Sequence, residues 1–138
     1  MARILAIDYG TKRTGIAVTD PLQIIASGLD TVPTEGVIDF LKKYFETEAV
    51  EKIIVGEPLH ADGNPMEITK KVYDFVEKLK KLFPQIPVHL QDERFTSKTA
   101  SRLILESGAK KKKRQDKALI DKVSAAVILQ EYMEANVW

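Results

Sequence analysis

The sequence predicts an α/β domain whose sheet contains both antiparallel and parallel neighbours. Two short apolar segments separated by a polar turn open the chain, a pattern typical of a β-hairpin. A strand, a helix and another strand follow in an order that favours a crossover connection and therefore parallel pairing. The length of 138 residues is usual for one domain. We therefore expect a single domain over residues 1–138.

The predicted hairpin joins a strand over Arg3–Asp8 to a strand over Gly15–Thr19 through the polar turn Tyr9–Thr14. The four apolar residues before Asp8 form a run that is too continuous for a strand with one solvated face. This run favours a position at the centre of the sheet, with Asp8 at the end of a central strand. A third strand is predicted over Ile24–Val32.

The middle of the chain is predicted to alternate between helix and strand. Thr34 is expected to cap a helix that begins near Glu35, because a hydroxyl side chain there can accept a hydrogen bond from the first turn. The β-branched segment Lys52–Gly56 predicts a strand. Proline and glycine in Glu57–Pro65 indicate a loop, and the spacing of apolar residues over Met66–Phe83 predicts an amphipathic helix.

Three further elements are predicted in the last third of the chain. Val88–Leu90 forms a short strand, and a helix is expected from about residue 96 to about residue 107. Asp116 is expected to cap the last helix, which runs to about Tyr132. The predicted order is therefore three strands, a helix, a strand, a helix, a strand and two helices.

The composition narrows the chemistry that the chain can perform. Hydrophobic residues make up 44% and charged residues 30% of the sequence, which argues against a disordered or fibrous chain. The absence of cysteine excludes disulfides, thiolate metal sites and thiol nucleophiles. The N-terminal apolar run is too short for a signal peptide, and no segment has the roughly 20 apolar residues of a membrane span. We therefore expect a cytoplasmic protein without a membrane partner.

Three acidic residues are distinguished by their positions. Asp8 and Glu93 follow predicted strands, and strand ends are where ligands of α/β sheets collect. Asp121 lies on a helical face of small and apolar residues, which are Ala118, Ala125, Ile128 and Tyr132. A carboxylate on a face that packs against the sheet is costly to bury unless a cation meets it. Oxygen ligands without sulfur suit Mg²⁺ or Mn²⁺, so the three acids indicate a metal site.

Other interpretations of these acids remain open. Asp121 could lie at the helix edge, paired with Lys117 or Lys122, while Asp8 and Glu93 serve only as turn and cap residues. The Asp-x-Gly-Thr turn that begins at Asp8 also resembles the phosphate loop of actin, hexokinase and Hsp70-type ATPases. Those proteins bind nucleotide between two such domains, for which 138 residues leave no room.

Four motifs in order resemble the YqgF/RuvX-like family, whose members are described as pre-16S rRNA nucleases and were earlier described as Holliday junction resolvases. The motifs are Ile7–Val18, Val55–Leu59 with Gly63, Asp92–Ser97 with Ala100, and Asp121–Tyr132. The resemblance covers essentially the whole chain. It implies a ribonuclease H-like fold, with a five-stranded mixed sheet in the order 3-2-1-4-5, and it implies that Asp8, Glu93 and Asp121 are the catalytic acids.

The resemblance implies a metal-dependent nuclease that hydrolyses phosphodiester bonds, in the 5′-end processing of pre-16S rRNA. Two Mg²⁺ or Mn²⁺ ions about 3.5 to 4 Å apart would serve such a reaction, with Asp8 bridging them and Glu93 and Asp121 holding one each. The alternatives are a junction-resolving DNA endonuclease, which would need a symmetric dimer, and a non-catalytic module that binds RNA or the ribosome. Whether the protein is a monomer or a homodimer stays open.

Basic side chains near the three acids are the expected substrate contacts. Lys12, Arg13 and Arg94 are expected to contact phosphate. The net charge of only +1 conceals a basic block formed by Lys110, Lys111, Lys112, Lys113 and Arg114. This block is expected either to clamp nucleic acid as a mobile arm or to be a solvated loop.

One residue departs from the family pattern. Glu57 stands between Gly56 and Pro58, where the family leads us to expect an aliphatic residue. It could be a fourth acid near the metals, but we favour an exposed residue of the loop.

Overall fold

The computed structural model describes residues 2–93, 96–106 and 116–137, and within these ranges the chain forms five strands and four α-helices. The strands are β1 (Arg3–Asp8), β2 (Arg13–Thr19), β3 (Ala26–Pro33), β4 (Val50–Glu57) and β5 (Val88–Asp92). The helices are α1 (Val37–Thr47), α2 (Glu67–Leu82), α3 (Thr96–Glu106) and α4 (Lys117–Asn136). Among the helices of these ranges we find no candidate for a transmembrane span.

The strands form one mixed sheet in the order β3-β2-β1-β4-β5. β2 is antiparallel to both β1 and β3, whereas β4 is parallel to both β1 and β5. This arrangement confirms the predicted hairpin, the predicted crossover and the predicted strand order. Because β1, β4 and β5 run in the same direction, their carboxyl ends meet at one edge of the sheet.

The central strands β1, β2 and β4 are buried on both faces, and alternation along β1 divides the core into two layers. Leu5 and Ile7 pack with α1 and α2, while Ile4 and Ala6 pack with α4. The layer under α4 consists of Ile4, Ala6, Ala17, Ile54, Ala125, Ile128, Leu129, Tyr132 and Met133. Asp8 continues the even positions of β1, so its side chain belongs to the face that α4 covers.

Each element lies where the sequence patterns predict it, but the bounds of every strand after β1 differ by one or two residues and one cap is different. β2 begins at Arg13 rather than Gly15, and β4 extends through Glu57 because both strands continue their pairing with neighbours. Thr34 does not cap α1, since its hydroxyl donates a 2.6 Å hydrogen bond to the Gly10 carbonyl and it begins the 3-10 turn Thr34–Gly36 that precedes the helix. The prediction of this cap was therefore wrong.

The cap predicted for the last helix is confirmed. The Asp116 carboxylate accepts hydrogen bonds from the backbone N–H groups of Ala118 at 3.0 Å and Leu119 at 3.4 Å. A hydrogen bond of 2.5 Å from the Thr31 hydroxyl to the Ala118 carbonyl ties the same turn to β3. The start of α4 is thus held from two sides, which determines where Asp121 lies.

Candidate active site

Asp8 lies at the carboxyl end of the central strand, between two glycines on the neighbouring strands. It pairs with Gly15 of β2. On the other side, Ile7 pairs with Val55, so that Gly56 of β4 lies beside Asp8. Glycine inside a strand often marks the close approach of another group. Here the two glycines leave space on either side of the Asp8 carboxylate.

Glu93 reaches Asp8 across the space above Gly56. It directly follows β5, and its backbone N–H donates a 3.1 Å hydrogen bond to the Glu57 carbonyl. A Cβ on Gly56 would lie 2.8 Å from Cδ of Glu93 and 2.7 Å from Cδ1 of Ile128. A side chain at residue 56 would therefore displace Glu93 from its position.

The carboxyl groups of Asp8 and Glu93 are in hydrogen-bond contact, and the pKa of each is raised. Burial raises the pKa of Asp8 to about 6, a hydrogen bond from Glu93 partly offsets this rise, and the charge of Asp121 adds to it. Burial also raises the pKa of Glu93, as do the charge of Asp8, the hydrogen bond to Asp8 and the charge of Asp92. The Glu93 carboxyl is thus the donor and the Asp8 carboxylate the acceptor. Such a pair is a site where a cation would replace a proton.

Asp121 lies on the opposite side of Asp8 from Glu93, because α4 crosses β2 at Gly15. A Cβ on Gly15 would overlap the backbone carbonyl oxygen of Asp121. Only glycine at residue 15 therefore allows α4 to approach the sheet this closely. The charge of Asp121 also contributes, after burial, to the raised pKa of Asp8.

The Asp121 carboxylate is paired with Arg13 rather than with a lysine of its own helix. Nε of Arg13 lies 2.8 Å from Oδ2 of Asp121, and the two side chains are 41% and 22% exposed. Within residues 2–93, 96–106 and 116–137, no group of three or more His, Cys, Asp or Glu side chains lies close enough together to hold one metal ion. Asp8 and Glu93 are in contact, and Asp121 stands beside them with its charge directed to Arg13.

Of the other predicted substrate contacts, the structure describes only Lys12. Lys12 is exposed on the turn that leads into β2. Arg94 and the basic block of Lys110, Lys111, Lys112, Lys113 and Arg114 lie outside the described residues. The sequence patterns did not assign Gly15 and Gly56 a role in the site, although a glycine within an apolar strand is a known signal of close packing.

The sequence had suggested that Glu57 is an exposed loop residue, and this prediction was wrong. It is the last residue of β4, it is partly buried, and its carboxylate accepts a 2.5 Å hydrogen bond from the Tyr73 hydroxyl of α2. Gly56 faces Glu93 and α4, so the next residue along the strand faces the opposite side. The Glu57 carboxylate thus lies on the α2 side of the sheet.

Comparisons with known proteins agree with this architecture. The sequence profile of the RuvX family, described as Holliday junction resolvase, matches residues 2–135. A relative from Phocaeicola vulgatus, named "Putative pre-16S rRNA nuclease", is 56% identical over 136 residues, which cover 99% of this chain and 98% of the relative. A relative of the same name from Flavobacterium psychrophilum is 52% identical over 137 residues, covering 99% of this chain and 100% of the relative.

A solved structure supports the same fold. The chain described as T. thermophilus RuvC in complex with Holliday junction substrate has a TM-score of 0.57 and 18% identity, and the match covers 99% of this chain and 97% of that one. At this identity the likeness concerns the fold. Together with the sheet order and the match over residues 2–135, it confirms the predicted ribonuclease H-like architecture, and the chain belongs to the RuvX family.

Proposed function

We propose that this protein is a metal-dependent nuclease that hydrolyses phosphodiester bonds in RNA, with Asp8, Glu93 and Asp121 as its metal ligands. The observation that carries the proposal is the partly buried carboxyl pair of Asp8 and Glu93 at the carboxyl edge of the sheet, with Asp121 on the other side of Asp8. Acids with raised pKa values that meet at such an edge are typical of functional sites.

The residues fit Mg²⁺ or Mn²⁺. All three donors are carboxylates, and the chain has no cysteine that would favour a softer metal. The space above Gly15 and Gly56, which a Cβ would fill, admits the ligands from both sides of Asp8. Asp8 would be shared by two ions, with Glu93 and Asp121 holding one each. When bound, the ions activate the attacking water and neutralise charge on the phosphate and the leaving oxygen.

The other side chains of the site position the substrate. Lys12 and Arg13 lie on the edge of the hairpin beside Asp8 and can bind phosphate oxygens. The apolar layer beneath α4 keeps Asp8 in a poorly solvated position, which strengthens its interaction with any cation. Burial and the neighbouring charges of Asp8 and Asp92 raise the pKa of Glu93, and a carboxyl group has to lose its proton before it binds a metal, so binding should release a proton.

The relatives' names direct the choice of substrate. Since they are called pre-16S rRNA nucleases, we favour RNA of the small-subunit precursor, processed at its 5′ end. The bacterial cytoplasm is where such a substrate is made, and it is the location that we propose for this protein.

A second candidate is cleavage of four-way DNA junctions, favoured by the description of the family as Holliday junction resolvase. Paired cuts at a junction require two active sites in a symmetric dimer. A third candidate, a module that binds RNA without cutting it, would leave the Asp8 and Glu93 pair without a chemical role.

A cleavage assay separates these functions. Purified protein is incubated with a single-stranded RNA that carries the 16S 5′ extension, and separately with a four-way DNA junction, in Mg²⁺, Mn²⁺ or chelator. Asp8→Asn is the matched control, because it removes one charge and preserves the size of the side chain. The proposal predicts metal-dependent RNA cleavage that Asp8→Asn abolishes.

Other outcomes of this assay would overturn the proposal. Metal-independent cleavage, or equal cleavage by Asp8→Asn, would exclude the proposed metal site. Cleavage of the junction alone, confined to dimeric fractions from a sizing column, would establish the DNA candidate. Tight RNA binding without cleavage in any metal would support the binding module.

A further inference from the structure

We propose that Arg13 is a positioning residue that holds Asp121 until a divalent cation displaces it, and that the released guanidinium then binds substrate phosphate. Metal binding and RNA binding would thereby be coupled through one side chain. The inference rests on the proposed metal site and goes beyond it, because it assigns Arg13 a role in the protein before metal binds.

The first observation is the geometry of the ion pair. Nε of Arg13, the first residue of β2, lies 2.8 Å from Oδ2 of Asp121. The two residues are 108 positions apart in the sequence, and the close packing of α4 on Gly15 brings them together. The pair therefore joins the hairpin to the helix at the edge of the carboxylate site.

The second observation is the arrangement of the three acids. Asp8 and Glu93 are already in hydrogen-bond contact, yet the described residues contain no cluster of three ligands that could hold an ion. Asp121 is the member whose carboxylate is engaged elsewhere, and its partner is Arg13. The Asp121 carboxylate therefore has to move toward Asp8 before it can complete the site, and in this proposal that movement breaks its contact with Arg13.

The exchange is energetically accessible because the ion pair is partly solvated. The side chain of Arg13 is 41% exposed and that of Asp121 is 22% exposed, and pairs of this kind contribute little because water screens them. A divalent cation brings twice the charge to the same carboxylate. The pair should therefore weaken metal binding by only a modest factor while keeping Asp121 in place.

Release of Arg13 would create a phosphate contact where one is needed. A guanidinium presents several donors in a planar fork that matches two phosphate oxygens. Because the effect of one ligand on another is reciprocal at equilibrium, metal should strengthen RNA binding and RNA should strengthen metal binding. Lys12, the neighbouring cation, has no carboxylate partner among the contacts of the described residues and should contribute to RNA binding regardless of metal.

The first test is calorimetric titration of the full chain with Mn²⁺ in the absence of RNA. Wild type is compared with Arg13→Gln and with Lys12→Gln, which removes the same charge from the adjacent residue. Arg13→Gln should bind Mn²⁺ about two- to fivefold more tightly than wild type, since an exposed ion pair is worth at most about 1 kcal/mol. Lys12→Gln should change the affinity by a smaller factor.

The second test measures coupling. Fluorescence anisotropy of a labelled single-stranded RNA is recorded with Ca²⁺ or chelator at constant ionic strength, and a gel of the same samples verifies that the RNA is intact. Wild type should gain RNA affinity when Ca²⁺ is added. Arg13→Gln should lose most of that gain, whereas Lys12→Gln should weaken RNA binding to a similar extent with and without Ca²⁺.

The outcomes distinguish this inference from the proposed function. If wild type binds no Mn²⁺, the metal site itself fails and Arg13 has nothing to gate. If wild type binds Mn²⁺ but Arg13→Gln binds it no more tightly than Lys12→Gln does, only the role of Arg13 is overturned. An unchanged gain from Ca²⁺ in Arg13→Gln would have the same consequence. Circular dichroism of each variant verifies that it is folded.

Discussion

The backbone carbonyl of Asp121 occupies the space where Gly15 would carry a Cβ. This relationship determines the geometry of the site, because Gly15 is also the pairing partner of Asp8. The absence of a side chain at residue 15 allows α4 to lie directly on β2. A short aspartate side chain can thus approach the end of the central strand.

Gly15→Ala should therefore damage both stability and metal binding. The new methyl group would meet the backbone of α4, which is less able to move than a side chain, so we expect a loss of about 1–3 kcal/mol in the free energy of unfolding. Urea unfolding and Mn²⁺ titration measure the two effects. Gly36→Ala is the matched control, because a Cβ there meets nothing within 4 Å, and it should change the stability by no more than about 1 kcal/mol.

Gly56→Ala should separate metal binding from folding. The atoms nearest to its new Cβ are Cδ1 of Ile128 at 2.7 Å and Cδ of Glu93 at 2.8 Å, and both belong to side chains that can move. We expect a folded protein with a cooperative urea transition in which Glu93 is displaced and Mn²⁺ affinity falls at least tenfold. Wild-type affinity in this variant would show that Glu93 is not a ligand.

Asp8→Asn should stabilise the metal-free protein while it removes metal binding. Burial raises the pKa of Asp8 from 3.8 to about 6, so the ionised carboxylate opposes folding at neutral pH. The asparagine carbonyl can still accept the hydrogen bond from Glu93. In chelator, urea unfolding should show a gain on the order of 1–3 kcal/mol, since each unit of pKa corresponds to about 1.4 kcal/mol. A loss of stability would contradict this account of Asp8.

The metal-free protein should also depend on pH through Asp8. Because the folded-state pKa of about 6 is above the unfolded value of 3.8, the folded state binds more protons between these values. The stability contributed by protonated Asp8 is thus fully present below about pH 4 and is lost as the pH rises through 6. Urea unfolding from pH 4 to pH 7 should show a steeper decline in wild type than in Asp8→Asn. Equal slopes would mean that Asp8 has an ordinary pKa.

Glu57→Gln should leave metal binding unchanged. The Glu57 carboxylate faces α2 and is bound by the Tyr73 hydroxyl, and so it is separated from Asp8 by the sheet. Mn²⁺ titration should give an affinity within about twofold of wild type, since the carboxylate lies on the opposite face of the sheet and a partly exposed charge is screened by solvent. A much weaker affinity would place Glu57 among the metal ligands after all.

Patterns in short stretches of sequence predicted those elements whose formation depends on residues close together in the chain. The continuous apolar run of β1 identified the central strand, and Asp116 identified the start of α4, because burial on both faces and helix capping act over a few residues. The family resemblance supplied the strand order, which the apolar pattern alone left open.

Contacts between distant parts of the chain were not predictable in the same way. The Thr34 hydroxyl donates a hydrogen bond to the carbonyl of Gly10, 24 residues away. Because of this contact, Thr34 does not cap the helix that its position in the sequence had suggested. Arg13 was expected to contact phosphate, and nothing in its vicinity in the sequence indicated a partner 108 residues away. Such pairs depend on how α4 docks, which is determined by Gly15 and the layer of apolar residues beneath the helix.

The most direct test of the central claim is a crystal of the full chain soaked in Mn²⁺, with an anomalous difference map recorded at the manganese absorption edge. The account predicts a manganese peak within coordination distance of Asp8 and Glu93, with the Asp121 carboxylate turned from Arg13 toward the ion. Manganese bound only elsewhere, or a map without a peak beside an intact pair of Asp8 and Glu93, would contradict it.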